Sequence, residues 1–152
     1  MIAVLQRVSR ASVTVDGDKV AECGTGLLIL LGVGRDDREE DCRLLADKIS
    51  KLRVFQDGEG KMNLSVCDVS GSVIVVPNFT LLASYRKGNR PDFFGSAPPD
   101  IAKPLFEYFV SYISELVPKV GCGIFGADMK VDLLNDGPVT ITMDSSVLRK
   151  KQ

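Results

Sequence analysis

Apolar and polar positions alternate from the first residues of the chain. Ile2 to Val8 and Ala11 to Val15 each read as a strand, with successive side chains on opposite faces. Asp16-Gly17-Asp18 then supplies turn chemistry before a further strand over Lys19 to Cys23, because Gly17 is free to adopt positive φ. Gly24 and Gly26 lead into Leu27–Val33, a run too uniformly apolar for a half-exposed strand. It belongs in the middle of a sheet, covered on both faces. The period then changes. Cys42, Leu45, Ala46, Ile49 and Leu52 form a stripe at helical spacing, which predicts a helix over about residues 37 to 52. Asp36 is its expected N-cap, Glu39 the capping-box partner, and the acidic first turn suits the helix dipole.

Arg53-Val54-Phe55 reads as a short strand and Asp57-Gly58-Glu59-Gly60 as a turn. Val73–Val76 is a strong strand, and Pro77, which has no amide to donate, requires the pairing to change there. A polar loop over residues 83 to 99 precedes a second helix, about Asp100 to Val117. Its core side is expected to hold Ile101, Leu105, Phe109, Tyr112, Ile113 and Leu116, with Pro104 tolerated in the first turn. Two last strands, Lys130–Leu134 and Val139–Met143, flank Asn135-Asp136-Gly137-Pro138, where a hairpin turn is the simplest reading. The pattern predicts one α/β domain over residues 1–152, strand-rich, with mixed or antiparallel sheets in a barrel-like arrangement and two main helices.

Composition narrows the chemistry. With 152 residues, 45% of them hydrophobic and 26% charged, the chain is an ordinary globular sequence. No apolar run reaches the ~20 residues of a membrane span. The N-terminus lacks a basic segment followed by a signal-like apolar stretch, so a cytoplasmic protein is expected. Cys23, Cys42, Cys67 and Cys122 contain no C-x-x-C pair and read as reduced core residues. The chain has no histidine. That removes Ser-His-Asp and Cys-His catalysis, and neither a metal nor a cofactor is expected. A net charge of −1 argues against broad electrostatic binding to nucleic acid but allows a local basic patch.

Four segments carry candidate chemistry. Gly137-Pro138, at the mouth of a strand, makes rigid backbone that serves as a steric gate because it cannot yield as a rotamer does. Pro77-Asn78-Phe79-Thr80-Leu81 reads either as a strand end with an apolar staple or as a pair of free amides, at Phe79 and Thr80, for an oxyanion. Such a pair needs no histidine. Thr80 is a conceivable nucleophile with no evident activating base. Phe125-Gly126-Ala127-Asp128-Met129 fits core packing or a purine slot, and Tyr85 to Arg90 fits a solvated loop or phosphate contact.

Taken in order, these segments resemble the D-aminoacyl-tRNA deacylase family of the type common to bacteria and eukaryotes. The likeness runs from Leu5-Gln6-Arg7-Val8 through Gly26-Leu27-Leu28, Gly60 to Ser65, Lys87-Gly88-Asn89-Arg90-Pro91 and Ala97-Pro98-Pro99 to Phe125–Met129 and Asn135–Thr140. It implies hydrolysis of D-aminoacyl-tRNA, and of glycyl-tRNA, by a homodimer with its active sites at the subunit interface. Gly137 and Pro138, oriented by Arg7, would enter the partner's pocket and exclude L-amino acids. Phe79 and Thr80 would hold the ester, Phe125, Gly126 and Met129 would receive the terminal adenosine, and the tRNA's own 2′-hydroxyl would take part in the chemistry. The chain departs from the family's Ser-Gln-Phe-Thr-Leu motif at Pro77 and Asn78. A proline there resembles the animal-type deacylase that removes L-alanine, so L-alanyl-tRNA stays open as a substrate. A non-catalytic module that binds the RNA end is a further alternative.

Overall fold

The structure is a computed structural model and describes residues 1–149. Its first feature is a single strand where two were expected. β1 runs unbroken over Ile2–Val15, and a one-residue register shift lies between Val8 and Arg10. That shift moves the inward positions from even to odd numbers. Val8, Ala11 and Val13 therefore pack on one face of the sheet, while Ala3 and Leu5 pack on the other. Asp16 and Gly17, both at positive φ, turn the chain into β2 (Asp18–Cys23), as the sequence predicts.

β3 (Gly26–Gly32) lies between β1, to which it is antiparallel, and β6 (Ser72–Pro77), to which it is parallel. Its unbroken apolar run follows from this central place. Leu27, Ile29 and Leu31 join the larger core with Val73 and Val75 of β6, whereas Leu28 joins Ile74 and Val76 in a smaller core on the opposite face. β7 (Val120–Cys122) extends the sheet in parallel beyond β6. β8 (Lys130–Asp144) pairs antiparallel with the other side of β1. The outcome is a mixed, barrel-like sheet with helices on one face, and β4 (Phe55–Gln56) and β5 (Met62–Leu64) form a separate small hairpin.

Two helices cover the larger core. α1 (Glu39–Lys51) buries Cys42, Leu45, Ala46 and Ile49, four of the five positions in the predicted stripe. Its cap differs from the expectation. Arg38, not Asp36, is the N-cap residue, and Asp41, not Glu39, accepts the Arg38 amide at 2.9 Å. Asp37 is drawn instead to the N-terminal ammonium at 2.6 Å and to the Gly34 amide at 2.6 Å. α2 (Pro99–Leu116) starts one residue earlier than predicted, so Pro104 falls inside the helix, on its exposed side, rather than in the first turn. Phe109 and Ile113 are buried as expected, and Leu105, Tyr112 and Leu116 are half-buried against the core, whereas Ile101 is exposed and Ala102 and Phe106 complete the buried row. No helix among the described residues is long and apolar enough to cross a membrane.

The largest correction concerns the C-terminal strand. The predicted hairpin at Asn135–Pro138 does not exist, because β8 pairs with β1 on both sides of it. Between the Gln6–Thr140 and Val8–Asn135 pairs, Arg7 alone stands opposite the four residues Asp136 to Val139. The segment is a wide bulge in one long strand.

Candidate active site

The end of β6 builds one wall of a cavity of about 770 Å³, a size that suits a small-molecule site. Pro77 is the last residue of the β6 ladder, opposite Leu31, and the Asn78 amide still donates to the Leu31 carbonyl at 2.8 Å. The chain then turns into a short 3₁₀ helix, Phe79–Leu82. Asn78 caps it, its Oδ1 accepting from the Thr80 amide at 3.3 Å and from the Thr80 hydroxyl. Asparagine is the right length for this local bond. Of the two amides expected to be free donors, that of Thr80 is therefore engaged, while that of Phe79 has no acceptor among the described residues. The Phe79 ring is 58% exposed and meets Phe93 edge-on at 5.0 Å, and its carbonyl accepts from the Ser96 hydroxyl at 2.8 Å.

Phe125, Gly126 and Met129 form a second part of the lining. Phe125 leans on Phe106 of α2, with ring centroids 6.1 Å apart. The two parts are tied through Gly123. A Cβ there would stand 2.6 Å from the Met129 sulfur and 3.4 Å from Pro77 Cδ. Only a bare backbone lets the thioether and the proline ring converge. Among the described residues the sole titratable side chain lining the cavity is Asp128, which is exposed and lies 3.1 Å from the Lys130 ammonium, and no cysteine lines it. Cys42 is fully buried, and that burial, reinforced by the charges of Asp41, Asp37 and Glu39, pushes its thiol up to about 12. The site thus offers an apolar slot, a free amide and neutral polar groups, with Asp128, exposed and beside Lys130, as the one acidic side chain lining it among the described residues.

Gly137 and Pro138 lie outside this cavity and are exposed. Their peptide bond is cis, and Gly137 takes φ +126°. The bulge they form is held by Arg7, which is only 6% exposed. Arg7 Nη1 donates to the Val54 carbonyl at 2.7 Å, and Nε donates to the Asp136 carbonyl at 3.1 Å. Asn135 closes the base of the bulge: its Nδ2 donates to the carbonyls of Arg7 and Val139, each at 3.0 Å. The predicted residues therefore fall into two groups. Pro77, Asn78, Phe79, Thr80, Phe125, Gly126 and Met129 share the cavity, whereas Arg7, Gly137 and Pro138 share the bulge.

Comparison with known proteins decides what this arrangement belongs to. A family model described as D-Tyr-tRNA(Tyr) deacylase matches residues 4–144, which include every residue of both groups. The chain belongs to this deacylase family. A D-aminoacyl-tRNA deacylase of Anaeromyxobacter dehalogenans is 56% identical over 145 residues, covering 95% of this chain and 97% of the relative. One from Thermotoga petrophila is 55% identical over 148 residues, covering 97% and 99%. Among solved structures, the c-Myc DNA Unwinding Element Binding Protein superposes with a TM-score of 0.90 at 39% identity, over 95% of this chain and 98% of that one.

Within this deacylase fold the structure adds residues that the sequence reading passed over. Asn135, which the sequence places within the Asn135–Thr140 segment without a role of its own, is the closing bolt of the bulge. Phe93 and Ser96 come from the stretch read as a polar loop, yet both line the cavity. The adjacent aromatics Phe93 and Phe94 were the available signal, since large apolar side chains in a polar loop mark a surface with a task.

Proposed function

We infer that this chain hydrolyses the ester bond of D-aminoacyl-tRNA: water and aminoacyl-tRNA become a free amino acid and a tRNA with its 3′-hydroxyl restored. The observation that carries the reading is the cavity itself, in which an exposed aromatic with a free amide shares the lining with Phe125, Gly126 and Met129, and no histidine, lysine or cysteine lines it among the described residues. The terminal adenosine stacks on Phe125 and contacts Met129. The ester carbonyl meets the Phe79 amide, a preformed donor that needs no reorganisation as charge develops on the oxygen. Thr80 contributes its position in the 3₁₀ turn, its hydroxyl being held by Asn78. Asp128, the one acidic side chain lining the cavity among the described residues, is engaged at 3.1 Å by the Lys130 ammonium, so the neighbouring 2′-hydroxyl of the ribose takes part in activating the attack.

The chirality filter is a second copy of the chain. Gly137 and Pro138 project from their own subunit, outside their own cavity, so they act on substrate only in another subunit's site. Among the described residues β8 pairs only with β1, which leaves one edge of this fifteen-residue strand available for a partner. A rigid backbone gate excludes an L side chain by contact and leaves glycine unhindered. The relatives are named for D-aminoacyl-tRNA, which favours that substrate over L-alanyl-tRNA despite Pro77. Deacylation of D-Tyr-tRNA, L-Tyr-tRNA, Gly-tRNA and L-Ala-tRNA tests the reading side by side. Turnover of the D-Tyr and glycyl substrates alone is expected; equal rates on both tyrosyl enantiomers, or none on either, would overturn it. Sedimentation at micromolar concentration is expected to give a dimer.

A further inference from the structure

One surface beside the cavity differs from the rest of the molecule. The main-chain groups of Ser84 and Asp92 pair in both directions, at 2.8 and 2.9 Å, and pinch off the loop 85–91. Every residue of that loop is exposed. It carries Arg86, Lys87 and Arg90 and no acidic residue, in a chain whose net charge is −1. None of these three cations has a carboxylate within ion-pair distance among the described residues. Tyr85, at 82% exposure, opens the loop. The residue after the pinch, Phe93, lines the cavity against Phe79. The cationic loop therefore stands at the cavity's rim, fixed there by a built anchor.

Resting on the deacylase reading, we propose that loop 85–91 grips the sugar-phosphate backbone immediately 5′ of the terminal adenosine, with Arg86, Lys87 and Arg90 on the phosphates and Tyr85 as a stacking face for an unpaired base. The reach fits. Three residues beyond the pinch extend at most roughly 10 Å, and a strand advances about 3.4 Å per nucleotide. The loop spans the two or three nucleotides next to the adenosine and leaves the reacting ester untouched. Contacts to phosphate carry affinity without reading sequence, and an exposed aromatic accepts any base. The loop thus accounts for how a chain of near-zero net charge holds a polyanion: its positive charge is concentrated where the RNA enters.

The triple variant R86A/K87A/R90A tests this. Its kcat/KM on D-Tyr-tRNA is measured between 50 and 200 mM salt, beside that on 3′-O-(D-tyrosyl)adenosine, which has none of the upstream phosphates. Three phosphate contacts give a log–log salt slope of about 2.1 to 2.7, so the native protein should lose roughly 20- to 40-fold more than the variant over this range. The loss in the variant should fall on KM, with kcat unchanged, and the adenosine ester should be turned over equally by both proteins. R86K/R90K should keep most of the salt slope, because charge rather than fork geometry is what a phosphate backbone requires. The same salt dependence in native and triple variant would sink the proposal, as would an equal loss on tRNA and on the adenosine ester. If the native protein deacylates no D-Tyr-tRNA, the hydrolase reading fails separately. The affinity of uncharged tRNA then decides for the loop, a drop in the triple variant supporting it and an unchanged value overturning it.

Discussion

Substituting Arg7 by lysine should weaken both the fold and the filter, by amounts that the bulge geometry sets. Arg7 spans two carbonyls that belong to different parts of the chain, Val54 at 2.7 Å and Asp136 at 3.1 Å. Lysine keeps the charge but presents one compact donor group in place of a planar fork, so it satisfies one carbonyl and not both. The loss is one charge-assisted hydrogen bond in a buried place, about 1.5–3 kcal/mol. For a chain of this length that corresponds to a fall in Tm of about 3–12 °C. The same loss bounds the functional effect. If the clamp contributes that much to holding Gly137 and Pro138 in the excluding position, the preference for D- over L-Tyr-tRNA falls by a factor of about 10 to 150 at most. The assay pairs thermal unfolding with the two deacylation rates. An R7K protein with native Tm and native discrimination refutes the clamp, and one that is destabilised but equally selective shows that Arg7 serves the fold alone.

Three further outcomes follow from other parts of the structure. Burial pushes the Asp41 carboxyl upward, but hydrogen bonds from the Ser145 hydroxyl, the Arg38 amide and Arg149 outweigh it and hold the group below its ordinary value. A depressed folded pKa contributes stability that is present above about pH 4 and lost as pH falls through the folded value, so Asp41→Asn should lower stability at pH 7 and flatten the acid limb in urea titrations at several pH values. Cys42 should resist iodoacetamide at pH 8 in the native protein, while the exposed Cys67 is modified, as peptide mass mapping will show; alkylation of Cys42 without unfolding would contradict its burial. Thr80→Val should keep most deacylation activity, because Thr80 Oγ bonds only to Asn78, whereas a complete loss with the fold intact would make the hydroxyl a nucleophile.

What the sequence disclosed, and what it hid, follows from how far each signal reaches along the chain. β3 and the stripe of α1 were legible because a continuous apolar run and a helical period are local facts. The caps were less legible: the helix starts past both Asp36 and Asp37, with Arg38 as N-cap and Asp41 closing the box, while Asp37 is held by the N-terminal ammonium from a remote point of the chain. That β8 pairs with β1 on both sides of the interruption was hidden for the same reason. A four-residue interruption with turn composition looks the same whether the next segment folds back on its predecessor or continues along the same neighbour. Only the pairing of Val8 with Asn135 and of Gln6 with Thr140 separates the cases.

That distinction changes the chemistry that Gly137 can serve. A hairpin tip hinges at its base and moves with its two strands. A bulge inside one strand is pinned by ladder pairs on both sides, and here also by Arg7 across it and Asn135 beneath it. The space is filled as well: a Cβ at Gly137 would come within 2.9 Å of Arg7 Nη2 and 3.2 Å of the Val139 amide. Rigidity of this kind is what exclusion by contact requires. One methyl group of difference is worth only about 1–3 kcal/mol when a pocket yields, and more discrimination needs a wall that does not. The residues that make the wall rigid are Arg7 of β1 and Asn135 to Val139 of β8, whereas the cavity is lined from β3, β6, the 3₁₀ turn, residues 93 to 106 and residues 125 to 131, with Val131 at the far start of β8. Fit and rejection are thus built on different residues, which is why the R7K experiment can change discrimination while catalysis on the D-substrate persists.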